Sequence, residues 1–276
     1  MNVTGLDNLY KIVVMNPKGG CGKTTLATNM ASSYAQHGPP PTLVDCDPQG
    51  FSLRWLEQRP ANRPPIHGLA AYQSAKPLAA RVEPDSRALI FDLPAAIAAE
   101  QLHHYTYFAD TILIPVMPSA VDVHSATRLI AELLLDQQLD RREGKLAIVA
   151  NRVKRSTKSY QMLRRFLSSL RIPLIATLRD SQNFVYAIGQ GIGVCELPAY
   201  RALDDIQQLQ AIRAWLHKSR PRRRRSLSEH DRQTLIAELA YRHAQERGFQ
   251  GGDPTADWVE AERQVDALYS VGGARS

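Results

Sequence analysis

Two lysines, three glycines and two threonines fall within one short stretch, Lys18-Gly19-Gly20-Cys21-Gly22-Lys23-Thr24-Thr25. Glycines lack a Cβ, so successive backbone N–H groups can turn into a single concavity that suits an anion. The apolar run Ile12-Val13-Val14-Met15 before the stretch reads as a buried strand, and Leu26 to Tyr34 after it is compatible with a helix. A helix opening there aims its positive end at the same concavity. Strand, Gly-rich loop, Gly-Lys-Thr and helix are the context of a nucleotide-phosphate cradle, with the backbone of Gly19, Gly20, Cys21 and Gly22 lining it. In that chemistry Lys23 reaches the β- and γ-phosphates, the Thr24 hydroxyl ligates Mg²⁺, and Thr25 lies toward the α-phosphate. The competing reading is a Gly-rich turn with a solvated lysine at position 18.

Three further stretches end on groups fit for the same chemistry. Thr42-Leu43-Val44-Asp45-Cys46 reads as a buried strand running into Asp47-Pro48-Gln49-Gly50. Two acids one residue apart at a strand's carboxyl end are poorly placed for packing and well placed for a ligand, which in parallel sheets binds outside those ends. The bland alternative is that both cap the helix starting near Phe51. Ala88-Leu89-Ile90-Phe91-Asp92 is an apolar strand ending in an acid, the pattern in which a carboxylate holds a Mg²⁺ shell through water. Lys145 to Ala150 is a strand ending at Asn151-Arg152-Val153.

The pair Lys18…Lys23, with Pro17 where the plain phosphate-loop pattern has its first glycine, resembles the deviant Walker A motif of the ParA/MinD ATPases. Asp45-Cys46-Asp47-Pro48-Gln49-Gly50 is similar to that family's second signature. The resemblance covers about residues 10–217. It implies ATP and Mg²⁺ as cofactors, with Lys18 reaching across a nucleotide-sandwich homodimer to the partner's phosphates. It implies that Asp47 positions the attacking water, that Asp45 supports the Mg²⁺ shell with Asp92, and that Asn151 contacts adenine. An N-K-x-D guanine motif is absent, which favours ATP over GTP. The family's D-x-P-P is only half kept in Asp92-Leu93-Pro94-Ala95, which predicts a softer loop there.

Composition bounds the rest. The chain has 276 residues, 44% hydrophobic and 22% charged, as expected of one sizeable α/β core with a small appendage. Net charge is +7, unevenly placed. Residues 218–225 hold six basic groups and no acid, whereas 226–276 hold five basic and nine acidic groups, which leaves +5 on 1–217. A basic body beside an acidic tail argues for a located polyanion site. Cys21, Cys46 and Cys195 have no C-x-x-C or zinc spacing, which predicts a reducing cytoplasm without disulfides, with Cys21 and Cys46 as small fillers inside the nucleotide motifs. No run approaches the roughly 18 apolar residues of a membrane span, and the N-terminus lacks the pattern of a signal peptide.

The elements that must position these groups follow in order. The expected fold is α/β, a doubly wound, mostly parallel sheet of the P-loop NTPase class with a C-terminal αα-hairpin. Strands fall at about 11–15, 42–46, 88–92, 111–116, 145–150 and 173–178. Helices fall from the loop to about 36, from Phe51, over about 122–139 and over 202–217. Ile66-His67-Gly68-Leu69 starts another short element, and His67 has no companion at ligand spacing. Residues 152–171 carry Arg152, Lys154, Arg155, Lys158, Arg164, Arg165 and Arg171 with no acid between them. That run is either a solvated helix face or a surface that tracks phosphates. The domain division is 1–217, a self-repelling basic linker 218–228 containing Arg222 and Arg223, and a helical pair 229–276 opened by a Ser228-x-x-Asp231 capping box. The I-A-x-x-A-Y…W-x-x-A-E-R pattern of that pair resembles a short bacterial module of unknown function.

These expectations combine into a cytoplasmic, nucleoid-associated ATPase. It dimerises on ATP, binds DNA without sequence preference, positions or segregates a plasmid, chromosome or protein compartment, and answers to a small stimulating adaptor, with no membrane partner. The alternative is a MinD-like membrane-associated ATPase, which needs a basic amphipathic C-terminal helix; here the Trp258 segment carries Asp257, Glu260, Glu262 and Asp266. An iron–sulfur carrier needs paired cysteines, and an inert nucleotide site would not need Lys18, Lys23, Thr24, Asp47 and Asp92 together.

Overall fold

A computed structural model describes residues 6, 9–72, 78–135, 145–170, 172–220, 229–247 and 253–268. Its centre is β1 (Tyr10–Val14), every residue of which is buried. A run of five residues hidden on both faces suits only an inner strand of a parallel sheet covered by helices on each side. The Tyr10 hydroxyl meets Thr111 Oγ1 at 2.8 Å and donates to the Leu216 carbonyl at 3.1 Å, and the buried Lys11 ammonium donates to the Leu9 carbonyl at 2.9 Å and pairs with Asp110 at 3.5 Å, so both polar tips in this strand are satisfied.

In chain order follow α1 (Lys23–Ala35), β2 (Thr42–Asp45), α2 (Phe51–Glu57), β3 (His67–Ala70), β4 (Ala88–Asp92), α3 (Ala99–Phe108), β5 (Thr111–Val116) and α4 (Ala120–Leu135). They continue with β6 (Leu146–Val153), α5 (Lys158–Ser169), β7 (Leu174–Arg179), α6 (Gln182–Gly189), α7 (Ala199–Ser219), α8 (Glu229–Glu246) and α9 (Pro254–Leu268). The sheet order is β3-β2-β4-β1-β5-β6-β7 and every pairing is parallel. The chain leaves β1 toward one edge, returns through β4 beside it, and crosses to the other edge from β5 onward. That reversal opens a crevice at the carboxyl ends next to β1, the usual ligand position of such sheets.

The expected doubly wound α/β class stands, and several bounds move. Helix α4 starts at Ala120, and 136–139 lie outside the described residues. Helix α7 starts at Ala199, but Ala202 has a non-helical φ of −131°, so the expected start at 202 coincides with a kink. Because α7 runs to Ser219, Lys218 and Ser219 belong to a helix and not to an extended linker. Arg222, Arg223 and Ser228 lie outside the described residues, as does Arg171. Two helices carry no strong periodic signal in sequence. Helix α3 packs Tyr105 edge-on and Phe108 at a tilt against Phe91 of β4, and α6 begins at a Ser181 cap that accepts the Asn183 N–H at 3.2 Å.

Residues Leu9–Lys76 and Arg81–Arg220 form one compact unit, and α8 and α9 belong to a second. The second unit is held by Ile236, Ala240, Ala261 and Val265, by Arg232–Glu262 at 2.7 Å and by a bidentate Arg247–Asp257 pair. Four buried apolar side chains are a small core, and the ion pairs supplement it.

Within the first unit a buried charge cluster locks the sheet's helices. The carboxylate of Glu196, in a 3-10 turn at Val194–Glu196, takes both guanidinium nitrogens of Arg59 at 2.8 and 2.9 Å, the Ser32 hydroxyl of α1 at 2.5 Å and the Gly193 N–H at 2.8 Å. Gly191, at φ +64°, lies against the Gln58 backbone, where an added Cβ would sit 2.4 Å from its carbonyl carbon. Burial opposes ionisation of Glu196, but Arg59, the Ser32 hydroxyl and the Gly193 N–H outweigh it and hold its pKa below the usual range. A depressed carboxyl pKa contributes stability above the unfolded-state value and loses it as pH falls through the folded value. Glu196→Gln leaves Arg59 buried without its counter-charge and should cost about 3 kcal/mol in urea denaturation at pH 7. The difference from wild type should shrink as the pH drops below about 4.

Candidate nucleotide site

The strand order puts β2, β4 and β1 side by side, and their carboxyl ends deliver three groups to one place. Asp45 pairs in register with Asp92, and Asp92 pairs with Val14, the last residue of the strand that leads into the Gly-rich loop. The loop is tied down at its start by Asn16, a fully buried polar residue. The Asn16 amide donates to the Pro115 carbonyl at 2.7 Å, and its oxygen accepts the Lys18 N–H at 2.9 Å. Gly20 (φ +76°) and Gly22 (φ +95°) supply the left-handed turns that other residues adopt at a cost. Helix α1 then opens at Lys23 with no side chain capping its first turn and no acid in it, so its N–H groups face the loop's hollow.

The two loop lysines differ. The Lys23 side chain is buried and its ammonium donates to the Lys18 carbonyl at 3.2 Å, folded across the hollow. The Lys18 side chain is half-buried, and among the described residues its ammonium has no hydrogen-bond or ion-pair partner. Thr25 lies on the first turn, and its carbonyl accepts the Asn29 amide at 2.8 Å. Cys21 is fully buried, and burial raises its thiol pKa. Burial likewise pushes Cys46 to about 12 and Cys195 to about 11, so all three are protonated free thiols at neutral pH.

Asp92 is 2% exposed, and Oδ1 has no hydrogen-bond partner among the described residues. Burial pushes its pKa to about 7; the hydrogen bond from Thr24 opposes the rise and the nearby Asp45 charge adds to it. A buried carboxylate with one open oxygen, bonded to the threonine hydroxyl beside it, is a hard-oxygen donor set that fits Mg²⁺. Among the described residues no cluster of three or more His, Cys, Asp or Glu forms a self-sufficient metal cage.

The paired acids of the second strand divide their work. Asp45 is fully buried, and its carboxylate accepts the N–H groups of Asp47 at 3.0 Å and of Ser52 and Leu53 at 3.1 Å each. Asp45 therefore caps α2 and holds the turn that carries Asp47, a helix-capping role the sequence left open. Asp47 is half-buried at the mouth, with Oδ1 accepting the Gln49 N–H at 2.9 Å. Asn151 lies two residues before the end of β6, against the loop: its amide donates to the Cys21 carbonyl at 2.8 Å, and its oxygen accepts the Arg152 N–H at 3.0 Å.

The basic run splits across two elements. Lys158, Arg164 and Arg165 stand exposed on α5, opposite the buried Tyr160, Leu163 and Leu167, and Arg155 is exposed before the helix. Arg152 and Lys154 lean on Asp180 at 3.5 and 3.8 Å, so the acid that sequence placed outside the run partly neutralises them. His67 pairs with Asp85 at 2.9 Å on the surface. Sequence reasoning passed over Asn16 and the Arg59–Glu196 lock. A polar residue directly after a wholly apolar strand was the one available signal for Asn16.

A glycine-rich loop with two lysines between a buried strand and a helix, beside a buried strand-end aspartate, defines a P-loop nucleotide-binding protein. A family model described as the CobQ/CobB/MinD/ParA nucleotide binding domain matches residues 12–194, and the chain belongs to that family, a family of P-loop ATPases. Within it the chain is of the ParA/MinD positioning type. It is 28% identical over 209 residues to the maintenance of carboxysome distribution protein A of Halothiobacillus neapolitanus, covering 72% of this chain and 94% of that one. It is 26% identical over 152 residues to the protein ParA of Rhizobium radiobacter, covering 54% and 68%. Among solved structures it resembles a plasmid partition protein of Borrelia burgdorferi bound to AMPPNP (TM-score 0.60, 13% identity, 76% and 99% covered). It also resembles an ATP complex of a Cyanothece McdA variant (TM-score 0.59, 17% identity, 76% and 97% covered). Residues 231–267 match a model described only as a protein of unknown function (DUF2934).

The raised pKa of Asp92 has a measurable consequence in the nucleotide-free protein. The folded state keeps a proton that the unfolded state has lost, so stability falls as pH rises from about 4 toward 7 and stays reduced above it. Asp92→Asn removes that penalty. At pH 8, without ligand, it should unfold later than wild type by on the order of 2 kcal/mol, with the difference gone near pH 4.

Proposed function

We propose that this chain is an ATP-hydrolysing positioning ATPase that dimerises around ATP, holds DNA without sequence preference in that state and releases it on hydrolysis. The observation that carries this reading is the half-buried Lys18 ammonium, which has no partner among the described residues while Lys23 already serves the loop in cis. A cation held beside a phosphate cradle and unused by its own chain suits a second chain's triphosphate. Asp47 would orient an attacking water, a role supported by its half-exposed position on the turn that Asp45 secures. Thr24 and Asp92 would hold Mg²⁺, which when bound neutralises charge on the phosphoryl oxygens. Asn151 lies close enough to the cradle to bear on the bound nucleotide's base.

The exposed cations Arg155, Lys158, Arg164 and Arg165 support backbone-phosphate binding, with Arg152 and Lys154 contributing less because Asp180 competes for them. Arg222 and Arg223 extend the same chemistry in sequence. The carboxysome-distribution relative, covered over nearly its whole length, favours a protein compartment as cargo over a replicon. A small adaptor protein that stimulates hydrolysis completes the proposed cycle. Among the described residues no helix is long and apolar enough to cross a membrane, and the acidic α9 is a poor lipid-surface anchor.

Two variants separate the steps. Lys18→Ala should bind ATP yet stay monomeric with ATP and Mg²⁺ by light scattering, where wild type doubles in mass; a normal dimer from the variant would sink the reading. Asp47→Ala should bind ATP, lose steady-state hydrolysis by at least about a hundredfold and persist as a DNA-bound dimer. The affinity of that dimer for DNA should fall steeply with salt, and a flat titration would remove the DNA step.

A further inference from the structure

The end of β6 departs from regular strand geometry. Its register with β7 shifts between Ala150 and Val153, and between those positions Arg152 takes φ +51°, the sole left-handed non-glycine among the described residues. Such a conformation persists where surrounding contacts impose it, and it clusters at functional positions. Here the bulge turns Arg152 out toward Asp180 and leaves Asn151, 6% exposed, turned in toward the Gly-rich loop. The Asn151 amide then donates to the carbonyl of Cys21, between two of the loop's glycines, and its oxygen is taken by the Arg152 N–H. The fit is close. A Cβ at Gly22 would fall 2.1 Å from the Asn151 amide nitrogen, so the absent side chain at 22 is the space the Asn151 amide fills.

We infer that Asn151 is a positioning residue for the phosphate loop: its amide clamps the Cys21 carbonyl and so turns the neighbouring N–H groups toward the anion, whatever base the nucleotide carries. The physical reason is the direction of the peptide plane. A carbonyl held back toward β6 fixes the plane of the Cys21–Gly22 bond, and the N–H on the other side of that bond points into the hollow. Without the clamp, Gly22 is free to rotate, and the loop loses order that anion binding must then restore. The bulge and the left-handed Arg152 are the local strain that puts the amide there. This inference deepens the nucleotide-site reading above and assigns Asn151 a task that an adenine contact would not require.

The two roles separate with a ligand that has no base. Binding of ATP, GTP and inorganic tripolyphosphate is measured by calorimetry on the full chain, wild type against Asn151→Ala, with circular dichroism and thermal melting as controls for folding. The expected result is weaker binding of all three ligands by a common factor, on the order of tenfold for one lost hydrogen bond in a desolvated site. Asn151→Ser, whose hydroxyl is too short to span to Cys21, should repeat the loss if the alanine variant folds poorly. A loss confined to ATP, with tripolyphosphate binding unchanged, would overturn the clamp in favour of a base contact, and so would no loss at all. Wild type that binds neither ATP nor tripolyphosphate would instead defeat the underlying nucleotide reading.

Discussion

Negative charge gathered at one end of a parallel sheet is the constraint that orders this molecule. The strand sequence β2-β4-β1 brings Asp45 and Asp92 into register next to the loop that must receive a polyphosphate. Three carboxylates beside an anion site repel one another and the ligand unless each is matched. Asp45 is matched by three backbone N–H groups, and Asp92 by the Thr24 hydroxyl and a pKa raised to neutrality. Asp47 sits where water can reach it. Lys23 and the uncapped start of α1 supply the positive counterpart. The arrangement is poised, because each unmatched element – the open oxygen of Asp92, the free mouth of the loop – is one that a metal-bound nucleotide would satisfy.

Holding that arrangement falls to buried amides and not to the charged groups themselves. Asn16 ties the loop's entry to β5, Asn151 ties its turn to β6, and Asn29 braces the first turn of α1 through the Thr25 carbonyl. Asn29 also accepts the Val194 N–H at 2.8 Å, next to the turn where Glu196 gathers Arg59 and Ser32. The loop, α1, α2 and the 190s segment are therefore one hydrogen-bonded body. Polar groups satisfied inside a low-dielectric core are rigid, and rigidity is what a phosphate cradle needs for its N–H dipoles to point before the ligand arrives.

Much of this was legible in the sequence because strands and loops of this class announce themselves locally. Five buried residues before a Gly-rich stretch, and acids closing apolar runs at 45 and 92, carry both element and chemistry in adjacent letters. The β2, β4 and β5 bounds follow that logic to within a residue. What could not be read depends on distant partners. Glu196 is one acid in an unremarkable turn until Arg59, 137 positions earlier, folds onto it. Helix α3 is aromatic on the faces that meet Phe91, a pattern with no clean period. The acid-free basic run acquires Asp180 only when β7 lies beside β6. Asp45 and Asp47 looked equivalent as a spaced pair, and burial alone separated a capping acid from an accessible one.

The two loop lysines show how far a single chain can go toward explaining itself. Lys23 has a complete account in cis: it is buried at the start of α1, lies over the hollow and donates to a loop carbonyl that an incoming phosphate oxygen would replace. Lys18 has none among the described residues, although burying part of a lysine without a partner carries a desolvation cost and an entropic one. Its backbone is fixed through Asn16 to β5, so its position is imposed while its ammonium is left unassigned. A fixed backbone with a free charge is the reverse of a surface lysine, whose stem is mobile and whose charge is merely hydrated. Such a residue makes physical sense if its counter-charge arrives from another molecule, which is what the proposed pairing of two chains around ATP would supply.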